Sequence, residues 1–320
     1  MKQSSRIGLI DLEGGKKSPN HALMKLSAWH KQRGDSVEWY FPFSDRYDVV
    51  YASKVFSWTP DYSDVINADK VVRGGSGYAI TLINGREVYA KEETLPAEIE
   101  HMFPDYSLYP ALTKDTAYGY LTRGCPRGCS FCIVAHKEGK KSVRVADLNE
   151  FWNGQRNIVL LDPNILACKD WRPLLMQLIE SGAWVDFNQG LDARMMTPEK
   201  ATLLGEIKVK EIHFAWDRWE EGDKVKRGLE IYTQYARRRP RDKDTVVYTL
   251  VNYDTTFEQD LERIYQLREL GFYAYVMIYD KAHSAKQYHD LARWVNNRYV
   301  FNACKRFEDY NNQIKNNYER

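Results

Sequence analysis

LTRGCPRGCSFCIVAH, residues 121–136, holds three of the chain's five cysteines, Cys125, Cys129 and Cys132, at a C-x3-C-x2-C spacing. Gly124, Pro126 and Gly128 punctuate the stretch, so it reads as a tight loop. Three thiolates within eight residues can converge on one metal centre. A closed zinc or cubane iron–sulfur site takes four protein ligands. Three therefore leave a coordination position open, which favours chemistry over a purely structural metal. His136, four residues after Cys132, would close the set as a zinc site. A disulfide framework fits poorly, because the cysteines are clustered and odd in number.

With Phe131 just before the third cysteine, this loop resembles the signature of the radical S-adenosylmethionine (radical SAM) superfamily. The resemblance implies that Cys125, Cys129 and Cys132 bind three irons of a [4Fe–4S] cluster, while the amino and carboxylate groups of S-adenosylmethionine chelate the fourth. It implies reductive cleavage to a 5′-deoxyadenosyl radical, which removes hydrogen from a substrate, with Phe131 packing near the adenine. Radical chemistry of this kind is a cofactor's task. It needs a one-electron donor such as flavodoxin or ferredoxin. Arg123, Arg127, Lys137, Lys140, Lys141 and Arg144 make the neighbourhood basic, a rim suited to an acidic donor or an anionic substrate.

The 320-residue chain is long enough for two domains and a large core. Its 43% hydrophobic and 28% charged content is ordinary, and a net charge of +2 is too small to argue for a nucleic-acid partner. No apolar run approaches the ~20 residues that span a bilayer, and the first residues lack an apolar signal segment. A cytoplasmic protein without a membrane partner is expected.

Residues 6–11 (RIGLID) read as a buried strand. Pro19 and Asn20 open a helix, HALMKLSAWHKQ, that Gly34 stops. SVEWYFPF, YDVVYAS and ADKVVRGGSG add three strands, so residues 1–85 read as a small Rossmann-like α/β layer. Gly74, Gly75 and Gly77 read as turn geometry, since no G-x-G-x-x-G follows the first strand. The segment resembles a shortened cobalamin-binding domain, but the D-x-H-x-x-G motif is absent after Asp11. Cobalamin ligated that way is not expected, and His21 and His30 read as packing or helix-surface residues.

Residues 86–115 read as a connector with one short helix, broken by Pro96, Pro104 and Pro110. Residues 118–122 (YGYLT) read as the strand that delivers the cysteine loop. Five more strands are expected at 157–162, 184–189, 211–216, 245–251 and 272–279. Helical patterns lie between them, VADLNEFWN being the first, and AKQYHDLARWVNN closes the series. This βαβα series predicts a parallel sheet. The resemblance implies a partial (β/α)6 radical SAM barrel over residues 116–320, with catalytic groups at the carboxyl ends of strands.

Those ends carry the remaining candidates. Asp162 and Asn164 read as contacts to the S-adenosylmethionine ammonium, or as an Asx turn or cap. Asn188, Gln189, Asp192 and Arg194 follow the next strand. Asp192 suits ribose hydroxyls and Arg194 suits a carboxylate, with an Asp192–Arg194 brace as the competing account. Asp217 is a cofactor or substrate contact or a capping residue, and Trp216 a wall. Tyr248, Thr249, Asn252, Met277, Tyr279 and Asp280 line the last two strand ends, as a radical shield or as packing. The basic run at 236–244 reads as a solvated connector, and Cys168 and Cys304 as ordinary thiols.

The chain thus reads as an α/β radical SAM enzyme whose substrate is illegible, a small molecule or nucleotide being left by elimination. Two rivals stay open: a cobalamin-dependent radical methyltransferase, and a zinc-stabilised nucleic-acid-binding module built on the three cysteines and His136.

Overall fold

The computed structural model describes residues 4–15, 17–83, 86–90, 94–237 and 244–310. The chain divides into two compact units, Met1–Val159 and Leu160–Arg320.

In the first unit β1 (Arg6–Asp11), α1 (His21–Gln32), β2 (Ser36–Trp39), β3 (Tyr47–Ser53) and β4 (Ala68–Gly74) follow the expected order. The sheet runs β2-β1-β3-β4 with every pair parallel. Both faces of β1 are covered, which is why it reads as an unbroken apolar run. Ile7 and Leu9 pack with Leu23 and Leu26 of α1, and Ile10 packs with Tyr47, Val50 and Ala52. The Asn20 side chain caps α1 by accepting from the Leu23 amide. His30 is buried between Asp35 and Tyr51, so it is a packing residue. Gly75 has φ +99, and a Cβ there would lie 2.3 Å from the Lys54 carbonyl oxygen. Close backbone approach explains that glycine without any phosphate.

Next come α2 (Ser76–Ala79), a hairpin of β5 (Ile80–Ile83) and β6 (Arg86–Tyr89), α3 (Ala97–Glu100), a 3₁₀ turn at Tyr106–Leu108, and α4 (Pro110–Thr113). The connector is therefore more structured than the single short helix expected. Its Tyr106 hydroxyl donates to the Phe151 carbonyl at 2.6 Å and accepts from the Tyr118 amide at 3.0 Å.

The strand expected at 118–122 lies earlier, as β7 (Thr116–Gly119). Thr122 and Arg123 instead form β8 (Thr122–Arg123), paired antiparallel with β9 (Val143–Arg144). Between them lies α5 (Val134–Lys137). The helix expected at 145–153 is only a 3₁₀ turn, Leu148–Glu150, closed by a capping box between Asp147 and Glu150. Gly154, at φ +85, ends the segment.

The remaining series is β10 (Asn157–Leu160), α6 (Trp171–Ser181), β11 (Trp184–Leu191), α7 (Pro198–Glu206), β12 (Val209–Ala215), α8 (Gly222–Tyr235), β13 (Thr245–Val251), α9 (Phe257–Glu269), β14 (Tyr273–Ile278), α10 (Lys286–Asn296) and α11 (Arg298–Ala303). The larger sheet is ordered β14-β13-β12-β11-β10-β7. β11 to β14 pair in parallel. In β11–β14 each strand neighbours the next in sequence, and same-handed crossovers put the connecting helices on one face. Phe187, Ile212, Phe214 and Val247 share that face by register and are buried. Phe214 meets Tyr232 of α8 edge-on. Most of the basic run at 236–244 lies outside the described residues, as does the polar tail.

One helix residue fixes the ends of two strands. Arg263 of α9 has no exposed surface. Its guanidinium donates to the Trp216 carbonyl at 2.5 Å, to the Leu250 carbonyl at 2.6 Å, and to the equally buried Asp260. Asp260 in turn accepts from the Asn252 amide at 2.9 Å. Removing one partner of such a pair strands a buried charge, at roughly 3–5 kcal/mol. Arg263→Met is expected to lose about that much stability in urea unfolding, and Asp260→Asn in the same chain to restore part of it. A loss below about 1 kcal/mol would show that the pair does not hold these strand ends.

Candidate metal and cofactor site

The cysteine loop is shaped by contacts that do not involve the thiols. Arg123 lies 4.0 Å over the Tyr120 ring and pairs with Glu100 at 2.9 Å and Glu138 at 3.3 Å. Glu138 also accepts from the Gly124 amide, and the Cys125 amide donates to the Gly139 carbonyl at 3.1 Å. The Cys132 amide closes a turn on the Cys129 carbonyl at 3.0 Å. Gly124 sits at φ +83, and a Cβ there would come within 2.2 Å of the Lys141 carbonyl oxygen. Arg123 thus serves the loop's own fold rather than an open basic rim, and Arg144 pairs with Asp147. Arg127, Lys140 and Lys141 are exposed.

Cys125, Cys129, Cys132 and Phe131 are all partly exposed, and none of the cysteines is in a disulfide. Among the described residues no three His, Cys, Asp or Glu side chains are gathered closely enough to hold a metal ion. The donor set therefore suits three-thiolate ligation by its chemistry and its place on one loop, not as a preformed cage. His136 points to solvent on α5, which gives the zinc set no preformed fourth ligand. At the end of β1 the Asp11 carboxylate accepts from the Tyr109 hydroxyl at 2.8 Å and the Glu13 amide at 3.2 Å.

In the second unit Asp162 and Asn164 are buried after β10. Asn164 stands at the start of the 3₁₀ turn Ile165–Ala167, where its side chain makes no capping bond. Asn188 is half-buried and Gln189 exposed on β11, with the Asn188 carbonyl accepting from the Tyr248 hydroxyl at 3.2 Å. Asp192 and Arg194 form the brace considered above. Asp192 accepts from the Arg194 amide at 3.1 Å and from its Nε at 2.7 Å, while Nη1 reaches Glu221. Asp217 belongs to the same group. Burial pushes its carboxyl up to about 6, against the opposing charge of Arg263, a Leu250 backbone hydrogen bond and the charge of Arg194.

Glu221 escaped the sequence reading, although an acidic pair at 220–221 just before a helix is a cue. Trp216 is no wall. It is 1% exposed, with its Nε1 donating to the Arg218 carbonyl at 3.0 Å. Thr249 is buried, whereas Met277 and Tyr279 are exposed. Asn252 is spent on the backbone, its Nδ2 donating to the Tyr279 carbonyl.

The chain is 30% identical over 162 residues to ribosomal protein uS12 methylthiotransferase RimO of Acaryochloris marina (strain MBIC 11017). The match takes in 49% of this chain but only 30% of that relative. It lends loose support to the radical SAM superfamily. No family model matches. Among the described residues no helix is long and apolar enough to cross a membrane.

Two outcomes follow from the geometry. Gly124→Ala meets both the left-handed backbone cost of roughly 1–2 kcal/mol and the Lys141 carbonyl. It should lower the melting temperature, and a wild-type value would refute the constraint. Asp217 titrates in the sense opposite to a salt-bridged carboxylate. Its folded value lies above the unfolded one near 3.9, so burial costs nothing below about pH 4 and its full amount above about pH 6. Asp217→Asn should therefore stabilise by up to roughly 3 kcal/mol at pH 7.5 and by nothing at pH 4 in paired urea titrations. Equal effects at both pH values would refute the burial argument.

Proposed function

We propose that the protein is a radical SAM enzyme. The observation that carries this is the C-x3-C-x2-C loop with Phe131, supported by the partial likeness to a methylthiotransferase. Cys125, Cys129 and Cys132 would hold a [4Fe–4S] cluster, each thiol turning onto it about its own side-chain bond. When bound, the cluster supplies an electron that cleaves S-adenosylmethionine to a 5′-deoxyadenosyl radical, which takes hydrogen from the substrate.

In this reading residues 1–85 form a Rossmann-like layer, 86–115 a connector, and 116–320 a partial barrel. Phe131 covers the adenine. Asp162 and Asn164 receive the ammonium group, and Asn188 and Gln189 offer paired donors and acceptors. Asp192 and Arg194 enter the cofactor site as a unit, because the guanidinium is already braced on Asp192 and Glu221. Asp217, with its raised protonation range, would sit near neutrality on either side of its titration and so could exchange a proton at its carboxyl oxygen. Exposed Arg127, Lys140 and Lys141 offer positive charge to flavodoxin or ferredoxin in the cytoplasm.

Anaerobic reconstitution with iron and sulfide should give a brown protein with about four irons per chain. With S-adenosylmethionine and dithionite it should release 5′-deoxyadenosine. Cys125→Ala, Cys129→Ala and Cys132→Ala should each abolish that product, whereas His136→Ala should not. A colourless protein that binds zinc only with His136 intact would sink the proposal in favour of the zinc module.

A further inference from the structure

The helix-free face of the second unit's sheet carries polar residues where a purely structural sheet would be apolar. Asp186 on β11 pairs in register with Glu211 on β12, and Ala215 with Tyr248 and Tyr275 on the next two strands. His213 lies between Glu211 and Ala215 on that same side, stacked 4.8 Å from the Tyr248 ring with only 6° between the planes.

The hydrogen bonds on this face are unbalanced. His213 is buried, and its Nδ1 lies 3.0 Å from the Phe187 carbonyl oxygen. A carbonyl only accepts, so Nδ1 carries a proton, and a ring with that single proton leaves Nε2 as an acceptor. That Nε2 is 3.7 Å from Glu211 Oε2, too far for a hydrogen bond. The Tyr248 hydroxyl spends its proton on the Asn188 carbonyl. Asp186 Oδ1 is buried with no hydrogen-bond partner, 4.0 Å from His213 Nδ1. Acceptors thus gather with no donor to match, and a buried acceptor left unpaired is costly. Burial, with the charge of Glu211 beside it, raises the Asp186 carboxyl to about 6 against the opposing charges of His213 and Lys210. Burial also lifts Tyr248 to about 12, with Asp186 and Glu211 adding to the shift.

We propose that Asp186, Glu211, His213 and Tyr248 form a binding site for a cationic, N–H-bearing group, an ammonium or guanidinium. Such a group supplies both things the face lacks: donors for Asp186 Oδ1 and His213 Nε2, and positive charge opposite two carboxylates. The Tyr248 ring offers a π-face beside it. Calling the ligand a substrate rests on the enzyme reading above; the binding itself does not need cluster or S-adenosylmethionine.

The test therefore uses the full chain without reconstitution. Methylguanidinium, methylammonium and the neutral near-isostere methylurea are titrated while the imidazole C–H resonances of His213, assigned with His213→Gln, are followed by NMR. Both cations should shift these resonances saturably, and methylurea should bind at least about tenfold more weakly, a difference of ~1.4 kcal/mol. Asp186→Asn should weaken the cations by about tenfold or more. Glu211→Gln, at a half-exposed position that folding tolerates, should weaken them in the same direction. Methylurea binding as well as methylguanidinium, unchanged affinity in the folded Glu211→Gln variant, or no saturable shift in the wild type would overturn the site. Each of those results would leave release of 5′-deoxyadenosine by the reconstituted enzyme untouched.

Discussion

A guanidinium with no exposed surface is tolerated only where its charge and its donors are met from within. Arg263 meets most of that demand with Asp260 on its own helix and with the Trp216 and Leu250 carbonyls, which lie at the ends of β12 and β13, while its Nε finds no hydrogen-bond partner. The arrangement decides where two adjacent strands stop and how the chain leaves them. Asn252 holds φ +64, uncommon away from glycine, while its amide bonds Asp260. The same positive charge tempers the protonation range of Asp217. Packing at the helix and electrostatics at the strand end are thus one device. An apolar residue at 263 could fill the volume, but it could not serve the two carbonyls.

The two faces of the second sheet show how far the sequence could be read. The apolar face dictates the strands, so residues 245–251 are legible to the residue, as are residues 6–11 in the first unit's sheet: such largely apolar runs have no other stable environment. Boundaries failed where a tertiary partner decided them. Thr122 and Arg123 continue a strand-like pattern in sequence, yet they pair with Val143 and Arg144 instead of extending β7. The 145–153 segment has helical spacing, but Gly154 and a capping box limit it to a single 3₁₀ turn. Trp216 shows the converse error, an aromatic next to an acid that packs inward because β12 ends in the core.

Candidate site residues were legible by type more than by role. Arg194 and Asp192 were found, and their mutual brace is what the side chains do. Asp186, Glu211 and His213 lie within β11 and β12, away from the strand ends that carry the other candidates. The signal was there: Glu211 and His213 are two apart in a strand whose neighbours Ile212 and Phe214 are buried. Period-two placement puts such residues on one face, and a polar face on a central strand calls for a ligand or a partner. Composition cannot reveal this, because only the register sets Asp186 beside Glu211.

The cysteine loop poses the opposite case, where sequence says more than geometry. Its thiols are not gathered into a cage, yet the backbone around them is tightly specified by Gly124 against Lys141, by Arg123 between two glutamates, and by the Cys125 amide on Gly139. In a zinc finger the ligands are the fold, and removing metal unfolds the chain. Here charge pairs and backbone bonds shape the loop. A metal bound at such a loop would contribute little to its folding.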